Sequence, residues 1–149
     1  MFIRMPRKNI LLVEDNPDDE ALTIRALRKG NIGNDIQVAR DGKEALDYLF
    51  ELINSNPTEF SRLPAVVLLD LKLPKIDGLE VLRRIRNTDA IRHLPVVILT
   101  SSQEQQDLVK SYDLGVNSYV RKPVNFDEFI NAARQLGLYW LLLNEPPPS

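Results

Sequence analysis

Three apolar runs in the chain, ILLVED, AVVLLD and VVILT, each end on polar side chains: Glu14 and Asp15, Asp70, and Thr100. Runs of this length, bounded by turn residues, read as strands buried on both faces, as the central strands of a parallel sheet are. In an open parallel sheet the ligand crevice lies beyond the carboxyl ends of the strands. Three distant stretches of sequence therefore bring three carboxylates and a hydroxyl to one place. No other feature limits the possible folds so tightly.

Helical segments separate the strands, and their starts share a pattern. Asn16-Pro17-Asp18-Asp19, Asp41-Gly42-Lys43-Glu44, Asp77-Gly78-Leu79-Glu80, Ser102-Gln103-Glu104-Gln105 and Asn125-Phe126-Asp127-Glu128 each set a capping residue three positions before an acid or amide. All five offer acceptors to the orphan amides of a first helical turn, and the serine example is a strict capping box. Gly30 after Arg28-Lys29, and Gly115 after Leu114, mark helix stops. These signals predict strands near 9–14, 35–40, 65–70, 95–100 and 118–121. They predict helices near 17–29, 42–53, 78–88, 103–114 and 126–136. The second and fifth strands are mixed in polarity and suit sheet edges, while the other three belong inside. Right-handed crossovers then give a doubly wound, flavodoxin-like five-stranded parallel sheet of order 2-1-3-4-5, with helices on both faces. Its switch point falls between Asp15 and Asp70.

Composition narrows the function class. At 149 residues, 44% apolar and 27% charged, the chain reads as a single soluble domain over residues 1–149, with a core about 8–136 and an apolar extension 137–149. A net charge of -2 gives no footprint for nucleic acid. The chain has no cysteine, which removes disulfides, thiolate metal sites and cysteine nucleophiles. No run reaches membrane-spanning length, and MFIRMPRKN lacks the apolar core of a signal peptide, so a cytoplasmic location is expected.

Charge dictates the chemistry at the switch point. Glu14, Asp15 and Asp70 crowd three carboxylates together, and a hard cation such as Mg²⁺, with phosphate oxygens and water completing its shell, would relieve the repulsion. An aspartate can also act as a nucleophile toward a phosphoryl group. Thr100 and Lys122, each at a strand end, could meet phosphoryl oxygens. The remaining polar residues read more plainly. Asp18, Asp19 and Glu20 are first-turn acids favoured by the helix dipole, and His93 is a surface residue.

Glu14-Asp15, Asp70, Leu73-Pro74, Asp77-Gly78, Thr100, Tyr119 and Lys122-Pro123 together resemble the receiver domain of two-component response regulators. The resemblance covers roughly residues 8–136. It implies a phosphoacceptor rather than an enzyme, with Asp70 accepting a phosphoryl group from a sensor histidine kinase. It implies Mg²⁺ held by Asp15, Asp70 and the backbone carbonyl of Lys72, with Glu14 acting through water. Thr100 and Lys122 would contact the phosphoryl group, and Thr100 with Tyr119 would form the switch. Position 14 departs from the family pattern in carrying glutamate rather than aspartate.

The lengthened loop of residues 54–64 and the apolar run 136–143 look most like the stand-alone response regulators that partner cyanobacterial phytochromes. They imply a phytochrome-type kinase. With no basic patch and no membrane-length run in the chain, the target is expected to be a protein of unknown identity, with no nucleic-acid or membrane partner. The apolar run, with Tyr139 and Trp140 as anchors, leads us to expect a homodimer built on the C-terminal segment. Two other classes share such a sheet: an aspartate-nucleophile phosphatase and a flavin-binding protein. Against the first, Lys72 stands where a second acid is wanted. Against the second, the acidic 14–19 stretch replaces a phosphate-binding loop.

Overall fold

The computed structural model describes residues 8–30, 32–55, 63–116 and 118–135. Five parallel strands, β1 (Ile10–Val13), β2 (Ile36–Ala39), β3 (Val66–Asp70), β4 (Val96–Thr100) and β5 (Ser118–Arg121), form one sheet of order β2-β1-β3-β4-β5. The expected order is therefore observed. Helices α1 (Pro17–Lys29), α2 (Gly42–Ser55), α3 (Gly78–Arg86), α4 (Gln103–Ser111) and α5 (Phe126–Gln135) alternate with the strands. Residues 56–62 of the lengthened loop and the whole 136–149 segment lie outside the described residues.

The sheet is covered on both sides because its strand residues alternate between two cores. Ile10, Leu12, Val66, Leu68, Val97, Leu99 and Val120 point to the face covered by α1 and α5, where Leu27, Phe129 and Ile130 meet them. Leu11, Val13, Val67, Leu69, Val96 and Ile98 point to the face of α2, α3 and α4, against Leu46, Leu49, Leu82, Ile85 and Val109. All residues of β1, β3 and β4 are buried, whereas β2 and β5 are mixed, as edge strands should be. No helix among the described residues is long and apolar enough to cross a membrane.

All five capping residues act as read. Asn16 Oδ1 accepts from the amides of Asp18 and Asp19, Asp41 Oδ1 from Glu44, Asp77 Oδ1 from Glu80, Ser102 Oγ from Gln105, and Asn125 Oδ1 from Glu128. The reciprocal half of the box differs. Gln105 Oε1 takes the amide of Ser101 rather than that of Ser102. Some helix ends differ too. α3 stops at Arg86, not 88, and α4 at Ser111, not 114, while α2 runs on to Ser55. After α4 the chain reverses through Asp113 (φ 48°) and Gly115 (φ 70°), left-handed conformations that end a helix before the glycine itself.

Gly78 ties the fold to the strand ends. Its amide donates to Leu71 O at 3.0 Å, and a Cβ there would run into the carbonyl of Asp70. Only glycine lets the start of α3 lie against the backbone at the end of β3.

Candidate functional site

A cleft of about 580 Å³ opens beyond the carboxyl ends of β1 and β3, lined by Glu14, Asp15, Asp19, Asp70, Lys72 and Lys122 among others. Glu14 follows β1 directly, and its amide donates to Ala39 O at 2.9 Å, which carries the ladder one residue past the strand. Its side chain is fully buried, while Asp15, next in the chain, is exposed. Asp70 ends β3 and is 4% exposed. One carboxylate oxygen from each of Glu14, Asp15 and Asp70 lies within 4.8 Å of the others. Three hard oxygen donors gathered this closely suit a divalent cation that takes oxygen ligands.

Lys122 bridges the acids. Its amide donates to Thr100 O at 2.8 Å, fixing the start of the β5–α5 loop against β4. Its ammonium then donates to Asp70 Oδ2 at 2.8 Å, Glu14 Oε1 at 3.0 Å and Asp19 Oδ2 at 3.1 Å. The other oxygen of Asp70, Oδ1, accepts from the Lys72 amide at 3.1 Å. Asp19, read from the sequence as a first-turn acid, thus joins the site. The local pattern could not have identified it, because its partner is 103 residues away.

Burial pushes the Glu14 carboxyl up to about 7, with the neighbouring Asp70 adding to the rise and Lys122 opposing it. Burial lowers Lys122, but its bonds to Asp70 and Glu14 outweigh that and hold it above its ordinary value. The sign of the pH effect follows. A carboxyl whose folded pKa exceeds its unfolded 4.5 binds more protons when folded. Its contribution to stability therefore falls as pH rises from 4.5 to about 7, and the loss is complete above that window. The raised Lys122 acts in another window: its stabilisation holds below its unfolded 10.5 and fades only above it. In chelator, wild type should therefore lose stability relative to Glu14→Gln, on the order of 2 kcal/mol, between about pH 5 and about pH 8. Urea unfolding of both proteins checks this, and parallel pH profiles would refute it.

Thr100 and Tyr119 stand next to the cleft rather than in it. Thr100 is 4% exposed and shares a separate cavity of about 160 Å³ with Tyr119, Gln106 and Glu128. Ser101, the next residue, lines the acidic cleft. The half-buried Tyr119 ring lies 5.4 Å from the Lys110 ammonium, a cation–π contact that holds it against α4. His93 is exposed, as expected, and its Nε2 accepts from Arg92 Nε at 3.3 Å.

Comparison with known proteins agrees with this geometry. The family model for the response regulator receiver domain matches residues 10–134. The probable methanogenesis regulatory protein FilR2 of Methanothrix harundinacea is 42% identical over 138 residues, covering 93% of this chain and 86% of its own. Response regulator Rcp1 of Synechocystis is 37% identical over 136 residues, covering 91% and 90%. A crystal structure of the Mn²⁺-bound form of a response regulator Rcp1 matches with a TM-score of 0.65 at 33% identity, over 95% of this chain and 99% of that one. The bacteriophytochrome response regulator AtBRR matches with a TM-score of 0.81 at 56% identity, over 95% and 100%. With a buried aspartate ending the middle strand, two acids after the first and a lysine reaching back from the fifth, the chain belongs to the receiver domain family of response regulators.

Proposed function

We propose that Asp70 accepts a phosphoryl group from a sensor histidine kinase of the phytochrome type, and that the chain works as a stand-alone, single-domain cytoplasmic regulator. The observation that carries this is the placing of Asp70. It is buried, yet its Oδ2 faces an open cleft and a cation, the Lys122 ammonium, at 2.8 Å. A buried carboxylate costs desolvation, so it needs such a partner. The match to AtBRR, a bacteriophytochrome response regulator, supports the choice of kinase.

In this reading Mg²⁺ would be held by Asp15, Asp70 and the Lys72 carbonyl, with Glu14 acting through water, and would neutralise phosphoryl charge. The chain's own residues do the rest. An Asp70 carboxylate oxygen forms the bond to phosphorus as the bond to the donor's imidazole nitrogen breaks, leaving that nitrogen with the electron pair. Lys122 offers its ammonium to a phosphoryl oxygen. Thr100, whose backbone already carries the Lys122 amide, offers its hydroxyl to another. Movement of Thr100 would reshape the cavity that it shares with Tyr119 and bias the α4–β5 surface toward an unidentified protein target. The protein is then a phosphoacceptor rather than a turnover enzyme. Incubation with acetyl phosphate and Mg²⁺ tests the assignment: intact mass should show one phosphoryl group per chain, and none would overturn it.

The apolar run 136–143 supports a homodimer through the C-terminal segment, with Tyr139 and Trp140 as anchors. Trp140→Ala should shift micromolar protein from dimer to monomer in sedimentation. A monomeric wild type, with and without phosphorylation, would refute the dimer.

A further inference from the structure

Lys122 has three ammonium hydrogens and three carboxylate partners, so its donors are fully used. The partners differ in depth: the Glu14 side chain is 0% exposed, Asp70 5% and Asp19 33%, a series running from the floor of the cleft to its mouth. They also differ in role. Glu14 and Asp70 belong to the three-acid cluster that fits a divalent cation, and Asp19 does not. A cation held by Asp70, and through water by Glu14, would draw on the carboxylates that hold the ammonium and would repel it. Of the three partners, Asp19 alone would then remain to Lys122.

Asp19 is well placed to take that load. Its amide donates to Asn16 Oδ1 at 3.1 Å, which fixes its backbone in the first turn of α1. Its neighbours are otherwise disposed, since Glu20 pairs with Arg40 at 3.3 Å and Asp18 is exposed.

We propose that Asp19 is a positioning residue that keeps the Lys122 ammonium at the mouth of the cleft while a divalent cation is held by Asp15 and Asp70, with Glu14 acting through water. The inference rests on the metal site proposed above. Its consequence is cooperative. With Asp19 present, the displaced ammonium keeps a partner and its half-buried stem need not move into water. Without Asp19, the carboxylates left to Lys122 among its three described partners are the two that the cation draws on, so lysine and cation compete outright. Asp19 acts through Lys122 and touches no reacting atom.

The test is a Mg²⁺ titration by calorimetry on the full chain. Asp19→Asn should weaken binding about fivefold, and Asp18→Asn, the same charge lost one residue away, by less than about twofold. Asp19→Glu should restore most of the affinity. In a Lys122→Met background, Asp19→Asn should have no further effect. A spectroscopic readout separates positioning from general electrostatics. Under Mg²⁺ the Lys122 Nζ–H signal should stay protected from exchange in wild type and lose protection in Asp19→Asn, while without Mg²⁺ both proteins protect it. Unchanged affinity in Asp19→Asn, or a loss that persists in the Lys122→Met background, would overturn this inference alone. Failure of wild type to bind Mg²⁺ would overturn the metal site and the inference with it.

Discussion

Asp70→Asn should fold normally and yet take up phosphoryl groups from acetyl phosphate more than about three orders of magnitude more slowly than wild type. The substitution changes one atom and keeps the shape. Asn Oδ1 can still accept from the Lys72 amide, the bond that now spans 3.1 Å. Lys122 would retain Glu14 and Asp19, at 3.0 and 3.1 Å, so its ammonium is not stranded. Chemistry is what changes, because a neutral carboxamide is a far weaker nucleophile toward phosphorus than a carboxylate. Fold stability should move little, since one bond from Lys122 is weakened while repulsion with Glu14 is relieved. Intact mass over time gives the rate, and peptide mapping locates any residual label. Labelling of the Asn variant at the wild-type rate would show that the phosphoryl group goes elsewhere.

The sheet could be read from the sequence because its information is local and periodic. Continuous apolar runs marked β1, β3 and β4, and mixed polarity marked the edges at β2 and β5. Helix starts were equally legible, since a cap needs only a short polar side chain and an amide two or three residues on, and all five formed. Helix ends were less so. The glycine at 115 signals that the chain turns, but the turn begins earlier, at Asp113. The acids of the cleft were legible for the same reason as the strands that end on them. Asp19 and Arg86 were not. Each looks locally like a charged residue in a terminal helical turn, and each matters through partners brought close only by the fold, 103 and 28 residues away. Such roles have no sequence period.

Arg86 should prove the costlier loss for stability. It ends α3, at the side of the sheet opposite the acidic cleft. Its guanidinium donates to four backbone carbonyls: Leu94 and Leu114 at 2.8 Å, Arg92 at 3.1 Å and Gly115 at 3.3 Å. Those carbonyls lie in the segments that lead into β4 and β5, so one side chain fixes how both strands enter the sheet. Burial lowers the pKa of the group, which arginine tolerates without losing its charge. Arg86→Ala leaves the part-buried carbonyls of Leu94 and Leu114 without this donor, at a cost of about 3 kcal/mol, or a fall of about 10 °C in Tm for a chain of this size. Arg86→Lys should recover little, because a point charge cannot serve four acceptors that match a planar fork. Arg84→Ala, two residues earlier and paired only at the surface with Glu80 at 3.3 Å, should change Tm hardly at all. Thermal unfolding of the three variants decides the matter, and equal midpoints for Arg86→Ala and Arg84→Ala would remove the staple. The effect should also stay at its own end of the sheet: folded Arg86→Ala should bind Mg²⁺ like wild type, because residues that far apart with no shared partner contribute independently.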